Sequence, residues 1–294
     1  MNKSIFNGRP ALAAAAAVIL ILACGAIPAK SAAPAAADTV LEYKMPAGRA
    51  LTYQTKSEDS QVMEVMGQAM DTQTSNTSTI TFKSKGPKDK NLLIGVTIDD
   101  IAATVTSSAQ GDMSPDMSSV KGKSFDMVLS SLGAEVDVSA AEAITYSVAT
   151  ETRSVASGFK TFFPDLPGKP VKIGDTWPST TSVEEKTGSM TIRIELQNVH
   201  TLEGFETIDG HECARVSAQV TGTITGSGSQ MGQDLTFSGT IKGKDLWHFA
   251  VKEGAYVKSA TESTTQMSID VAAAGMSIPV TQTTKAEVKL SGKL

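Results

Sequence analysis

Three histidines, two cysteines and twelve methionines are the residues here that could carry metal or thiol chemistry. His211 and Cys213 stand two apart in His211-Glu212-Cys213. On a strand that spacing puts both side chains on one face, and His200 across a hairpin is the nearest further ligand. A zinc or copper site needs three or four converging ligands. The bland reading, a half-buried thiol among exposed histidines with His248 apart, therefore carries more weight. Met63, Met66 and Met70 stand three and four apart around Gly67. Thioethers bind Cu(I), but methionine also fills gaps, and this segment reads as a hairpin tip. Met113 and Met117 lie in a separate loop.

Nucleophilic catalysis has one decoy. Ser157-Gly158-Phe159-Lys160 matches S-x-x-K, and Lys186-Thr187-Gly188 matches K-T-G. Penicillin-recognising enzymes place a helical domain with S-D-N between these motifs, and neither fits here. No G-x-S-x-G, H-E-x-x-H or P-loop occurs, and Gly239–Lys244 (GTIKGK) has the wrong glycine spacing. Carboxylates pair as Asp99-Asp100, Glu184-Glu185, and Asp112 with Asp116. Strand neighbours point to opposite faces, so the first two pairs form no acid/base dyad unless a turn re-aims them. Asp175, in Gly174-Asp175-Thr176, is expected to close a turn through its own backbone, with Trp177 packed beneath it. No catalytic residue, metal or cofactor is expected, and the chain reads as a non-enzyme. The alternatives are an active site scattered over loops, or a scaffold with no ligand.

The elements that would position these residues begin after a leader. Residues 1–23 carry Lys3, Arg9 and an apolar run from Ala11 to Ala23, which is the length of a signal peptide. The junction Leu22-Ala23-Cys24 has the form of a lipobox, so Cys24 is expected to be lipidated and to become the first mature residue. Cleavage at Ala35-Ala36-Ala37 is the alternative. Residues 24–37 are a tether rich in Ala and Pro, without the large apolar residues a core needs. Cys213 then has no cysteine partner within the chain, and stability must come from a core.

From Leu41 the apolar period is two. Examples are Leu51, Tyr53, Thr55; Ile94, Val96, Ile98; Met190, Ile192, Ile194, Leu196; and Ala214, Val216, Ala218, Val220. Each marks a strand with one buried face. Asp209-Gly210 reads as a type I′ turn, and Gly111–Gly122 as a mobile loop excursion. The period changes at Ser139-Ala140-Ala141-Glu142, a capping box. Ile144, Val148, Val155, Phe159 and Phe162 follow at helical spacing and predict one helix from about Ala140 to about Phe162. Phe162–Pro178 is then a stiff crossover with four prolines, pinned by Phe162, Phe163 and Trp177.

These readings give a mainly β protein of two similar antiparallel, curved units (38–138 and 179–294), together one compact domain. One central helix and the proline-rich crossover (139–178) join them, as an open half-barrel or sandwich. The repeat rests on Ser124–Val136 echoing Asp245–Val257, and on Gly67–Met70 echoing Met231–Asp234. The net charge is −5, and it becomes more negative once Lys3 and Arg9 are removed. With no basic stripe, nucleic acid is excluded as a partner.

The lipobox, the tether, the strands and Leu166-Pro167-x-x-Pro170-Val171-Lys172-Ile173-Gly174-Asp175-Thr176-Trp177 resemble an uncharacterised family of bacterial envelope lipoproteins. Its distinctive core is Pro-Val-Lys-x-Gly-Asp-x-Trp. The resemblance implies an exported protein, lipid-anchored to a membrane of the cell envelope, and brings no catalytic residue. A more distant likeness is to lipid carriers whose curved half-barrel wraps a helix and shelters an acyl chain. The expected partners are thus the membrane, through the anchor, and an apolar small molecule or envelope protein.

Overall fold

The computed structural model describes residues 38–294, apart from 66, 149, 150, 188, 231, 232 and 293. Cys24 and the leader, the expected lipidation site included, lie outside the described residues, as do Met66, Gly188, Met231 and Gly232.

One antiparallel sheet dominates. Its long strands are β1 (Ala50–Val65), β2 (Gln68–Lys88), β3 (Asn91–Ser107), β9 (Thr176–Thr187), β10 (Met190–Ile208), β11 (His211–Gln230), β12 (Gln233–Ala250), β13 (Ala255–Val271) and β14 (Met276–Ser291). Shorter pieces are β4 (Gly111–Asp112), β5 (Ser124–Leu129) and β6 (Glu135–Asp137). The order is β6-β5-β3-β2-β1-β14-β13-β12-β11-β10-β9, with β4 beside β3. β6 and β9 are its two ends, so the sheet is not closed into a barrel. The first and last long strands pair directly, Tyr53 opposite Leu290 and Asp59 opposite Thr284. The two expected units are therefore halves of one sheet.

Turn chemistry agrees with the sequence. Asp209 and Gly210 both adopt positive φ, 51° and 85°, as a type I′ turn requires. Asp175 accepts the Lys172 N–H at 2.9 Å and closes its turn.

The expected central helix is absent, and no α-helix occurs among the described residues. Ser139–Ala143 and Ala156–Phe159 are 3₁₀ turns. Between them β7 (Thr145–Val148) pairs with β8 (Glu151–Ser154). The capping box does not form either: the Ser139 hydroxyl donates to Asp137 Oδ1 at 2.7 Å. Thr145, Tyr146, Val148 and Thr152 favour extended backbone, and a seven-residue gap in an apolar stripe fits a hairpin as well as two helical turns. Val155 and Phe159 are buried and Ile144 and Phe162 pack on the same core. Their burial was legible, and their conformation was not.

The 111–122 loop is also corrected, because Met117 and Val120 are buried in the core. Asp112 and Asp116 each accept a backbone N–H two residues on, from Ser114 and Ser118.

That core sits at one end of the long strands, on the inner side of the sheet. Tyr53, Phe82, Phe125, Trp247 and Phe249 from the strands meet Phe159 from the second 3₁₀ turn and Phe163 and Leu166 from the crossover. Phe82 and Phe163 have ring centroids 4.9 Å apart, and Tyr43 of the N-terminal arm stands edge-on to Phe163 at 5.5 Å. Crossover and hairpin thus fill the space a helix was expected to fill.

Candidate functional site

Beyond the core the strands continue as a single layer whose two faces differ. The outer face carries Lys56, Glu58, Arg193, Glu195, Lys242, Glu262, Lys285 and Glu287 at exposed alternate positions. A membrane-spanning barrel needs an apolar outward band, and this face is charged along its length. Two open depressions of about 350 and 390 Å³ lie on that charged side, lined by residues such as Lys56, Asp100 and Glu287, and Lys242, Glu262 and Lys285. Neither is the expected apolar cavity.

The inner face is zoned by rows that run across the strands. Beyond the core, one row reads Val183, Ile194, Ile224, Gly239, Met267, Val280, Met63 and Met70, each opposite the next. A second includes Ile192, Gly226, Phe237, Ile269 and Ile278. Val183, Ile224, Phe237 and Val280 are buried although they lie outside the core cluster. Their burial comes from curvature. A Cβ at Gly239 would stand 2.7 Å from Gln266 O, and one at Gly222 2.7 Å from Glu195 O. The strands close up on the inner side there, and only glycine leaves room.

Between this apolar band and the core lies a polar belt. Trp177, His200, Ala218, Asp245 and Thr261 form one row, and Ser179 and Asn198 begin the next. His200 Nε2 lies 2.9 Å from Ser179 Oγ, and Asn198 Nδ2 donates to the same oxygen at 3.3 Å. Trp177 stacks on the imidazole at 5.3 Å and anchors itself by an Nε1–H bond to Asp165 O at 3.0 Å. Trp247 stands edge-on to both rings. Burial holds His200 down at about 4, so the ring is neutral near pH 7. Burial pushes Asp245 up to about 6, against the hydrogen bond it accepts from Thr261 Oγ1 at 3.0 Å. It also raises Asp165, with the Ser179 hydroxyl pulling the other way.

Ser179 and His200 thus stand at the distance of a nucleophile and its base. The resemblance to a catalytic pair stops there. His200 Nδ1 has no partner to orient it, and the ring is only 4% exposed.

The other singled-out residues fall elsewhere. Cys213 lies on the outer side of β11, opposite Glu206, whereas His200 is inward, because an irregularity at Leu202/Gly204 shifts the register between them. The candidate ligands His200, His211 and Cys213, which the sequence had already disfavoured as a metal site, do not converge. Burial pushes the Cys213 thiol up to about 11, His211 Nδ1 pairs with Glu253 at 2.9 Å, and His248 Nε2 lies 2.6 Å from Glu206 Oε1. Among the described residues no group of three His, Cys, Asp or Glu side chains is placed to hold a metal. Met63 and Met70 face each other across a strand pair in the apolar band. Asp99 and Asp100 are exposed and bond to Thr81 and Lys121.

Sequence reading singled out His200 for a metal and passed over Ser179, Asn198, Asp245 and Trp247. A signal did exist: Asn198 and His200 continue the inward phase of Ile192, Ile194 and Leu196. Asp245 likewise interrupts the phase that runs from Phe237 and Ile241 to Trp247.

No family model matches the chain, and no curated protein matches it. Among solved structures it is similar to a Bacteroides fragilis protein of YmcC-like fold, described provisionally as exported. That match has 10% identity and a TM-score of 0.27, covering 85% of this chain and 97% of that one. Pseudomonas aeruginosa OccK2 (OpdF), in complex with glucuronate, aligns at 8% identity and a TM-score of 0.29, covering 85% and 100%. A DUF1329 family protein from Desulfovibrio piger aligns at 10% and 0.17, covering 82% and 87%. At TM-scores below 0.5 these likenesses carry no argument about this chain.

Proposed function

We propose that this is an exported envelope protein, lipid-anchored through Cys24, that holds one amphipathic molecule on the inner face of its curved sheet and performs no chemistry on it. The observation that carries this reading is the apolar band centred on Ile194, Ile224, Phe237 and Met267. Ile194 and Met267 stay half-buried beside the buried Ile224 and Phe237, and an apolar lining that extends beyond the core supports a binding role for this face. The charged outer face supports a protein standing in water, and the Leu22-Ala23-Cys24 junction supports its tethering to a membrane. The polar belt would receive the head of the ligand and the band its chain.

Native mass spectrometry of the mature chain carrying Cys24→Ser, incubated with medium-chain amphiphiles, tests the binding. One molecule bound per chain is expected, and Ile224→Asp should abolish it. No uptake of any amphiphile would overturn the reading in favour of a ligand-free scaffold. The anchor is tested on the native protein, whose first residue should be a diacylglyceryl-modified Cys24. A mature chain starting near Asp38 would refute it.

A further inference from the structure

We infer that Arg215, Lys258 and Lys289, set in one row across the outer face, bind the phosphate group of a hydroxylated phosphate ester. The site lies on the opposite side of the sheet from the apolar band and does not rest on the role proposed for it.

The row is fixed by register. Arg215 stands directly opposite His248, His248 opposite Lys258, and Lys258 opposite Lys289. Side chains directly opposite on one face have Cβ atoms about 5 Å apart, and like charges so placed destabilise a sheet. Neighbouring rows of this face avoid that arrangement. Four residues along the strands, Lys244, Glu262, Lys285 and Glu58 alternate in sign. In the row between, Glu287 stands opposite Lys56. The Arg215 row instead sets three cations together with no carboxylate among them.

The carboxylates around this row are committed elsewhere. Glu206 lies 2.6 Å from His248 Nε2, and Glu203 accepts the Ser217 hydroxyl. Asp100, which ends the row beyond Gln54 and Thr79, pairs with Lys121 at 2.6 Å. Among the described residues none of the three cations belongs to an ion pair. An anion arriving from outside would relieve the repulsion that the fold leaves standing.

A phosphate suits the spacing. Ammonium groups on adjacent strands can each donate to a different oxygen of one phosphate, and the arginine fork fits the same group. At Lys289 the row opens onto the depression of about 350 Å³, which Gln54, Thr77 and Thr79 also line. An amide and two hydroxyls there can hydrogen-bond the hydroxyls of a glycerol or sugar. Asp100 and Glu287 on the same walls accept hydroxyl protons and repel a second anionic group. The site therefore takes a single phosphate with a polyol body and excludes a polyanion.

The test uses the mature chain with Cys24→Ser, melted in sodium phosphate and in sodium chloride of equal ionic strength. Glycerol phosphate is then titrated into the ¹⁵N-labelled chain. Phosphate should raise the melting midpoint above that in chloride, and the ester should shift the Gln54, Lys258 and Lys289 amides. Lys258→Gln should melt about 1–3 °C higher in chloride, because a repulsion is gone. It should also bind the ester about ten-fold more weakly. Lys244→Gln, in the alternating row, should bind as the parent does. Vesicles of phosphatidylglycerol, set against phosphatidylcholine, distinguish the sources of the ester. Co-sedimentation with the former that Lys258→Gln abolishes assigns it to a lipid headgroup, and ester binding without co-sedimentation assigns it to a soluble molecule. An equal gain from phosphate in parent and Lys258→Gln would reduce the effect to general salting of the fold and overturn the site. A Lys258→Gln chain that melts lower in chloride would overturn it too, by showing the lysine already satisfied.

Discussion

Glu135 is an ionisable residue whose burial ties stability to pH in the neutral range. It sits on β6 beneath the crossover, accepts the Phe163 N–H at 2.9 Å, and is pushed by burial up to about 8. A group whose pKa rises on folding binds its proton more tightly in the native state. Its stabilisation is complete below the unfolded value near 4.5 and is lost as pH climbs toward 8. Asp245 acts in the same sense over a narrower window, up to about 6. His200, held at about 4, acts oppositely and withdraws stability as pH falls below its unfolded value of 6.5. Thermal melts from pH 5 to 8.5 should therefore fall toward the alkaline end. Glu135→Gln, which keeps an acceptor oxygen for Phe163 N–H, should remove most of that fall. An unchanged slope in the variant would show that Glu135 ionises freely in the folded protein.

At the scale of the element, curvature depends on glycine. Gly222, Gly226, Gly239 and Gly243 occupy inward positions of β11 and β12, and a Cβ at any of them would stand under 3 Å from the backbone of the next strand. Gly239→Ala should destabilise the protein by about 1–3 kcal/mol through overpacking. Gly204, where an added Cβ meets nothing within 4 Å, provides the control, and Gly204→Ala should be within about 0.5 kcal/mol of neutral. Urea midpoints of the two variants make the comparison. Equal midpoints would mean that the strands can relax apart and that the band is not tightly curved. Strands were the most legible elements because a period of two is local and repeated. The 139–162 segment was misread because a stripe of apolar residues specifies burial, whereas hairpin or helix is decided by what the stripe packs against.

For the whole molecule, the decisive contact is the pairing of β1 with β14, which joins residues more than two hundred positions apart. It makes both halves one sheet, and it cannot form until the end of the chain is available. Ending the chain at Gly275 would leave β1 and β13 with unpaired edges and remove Val280 and Leu290 from burial. The expected outcome is loss of the cooperative melt, seen by circular dichroism. A truncated chain that melts as sharply as the full one would show that the halves fold independently, as the internal echo suggested. That echo survives only as two hairpins: β5–β6 at an end of the sheet, with a three-residue β6, and β12–β13 in its interior.

By itself the sequence determined what nearest neighbours along the chain can determine. It specified the strands and their inward residues, the Asp209-Gly210 turn, the Asp175 closure, the burial of Phe163 and Trp177, and an exported N-terminus as its expectation. The tertiary structure alone decided which strands pair, because register between distant segments depends on the summed fit of whole faces. It therefore decided that His200 and Cys213 lie on opposite faces, that one sheet replaces two units, and that Ser179, Asn198 and Trp247 meet around His200. Those residues come from three strands, β9, β10 and β12. Their shared site follows from cross-strand register, a quantity that no local pattern encodes.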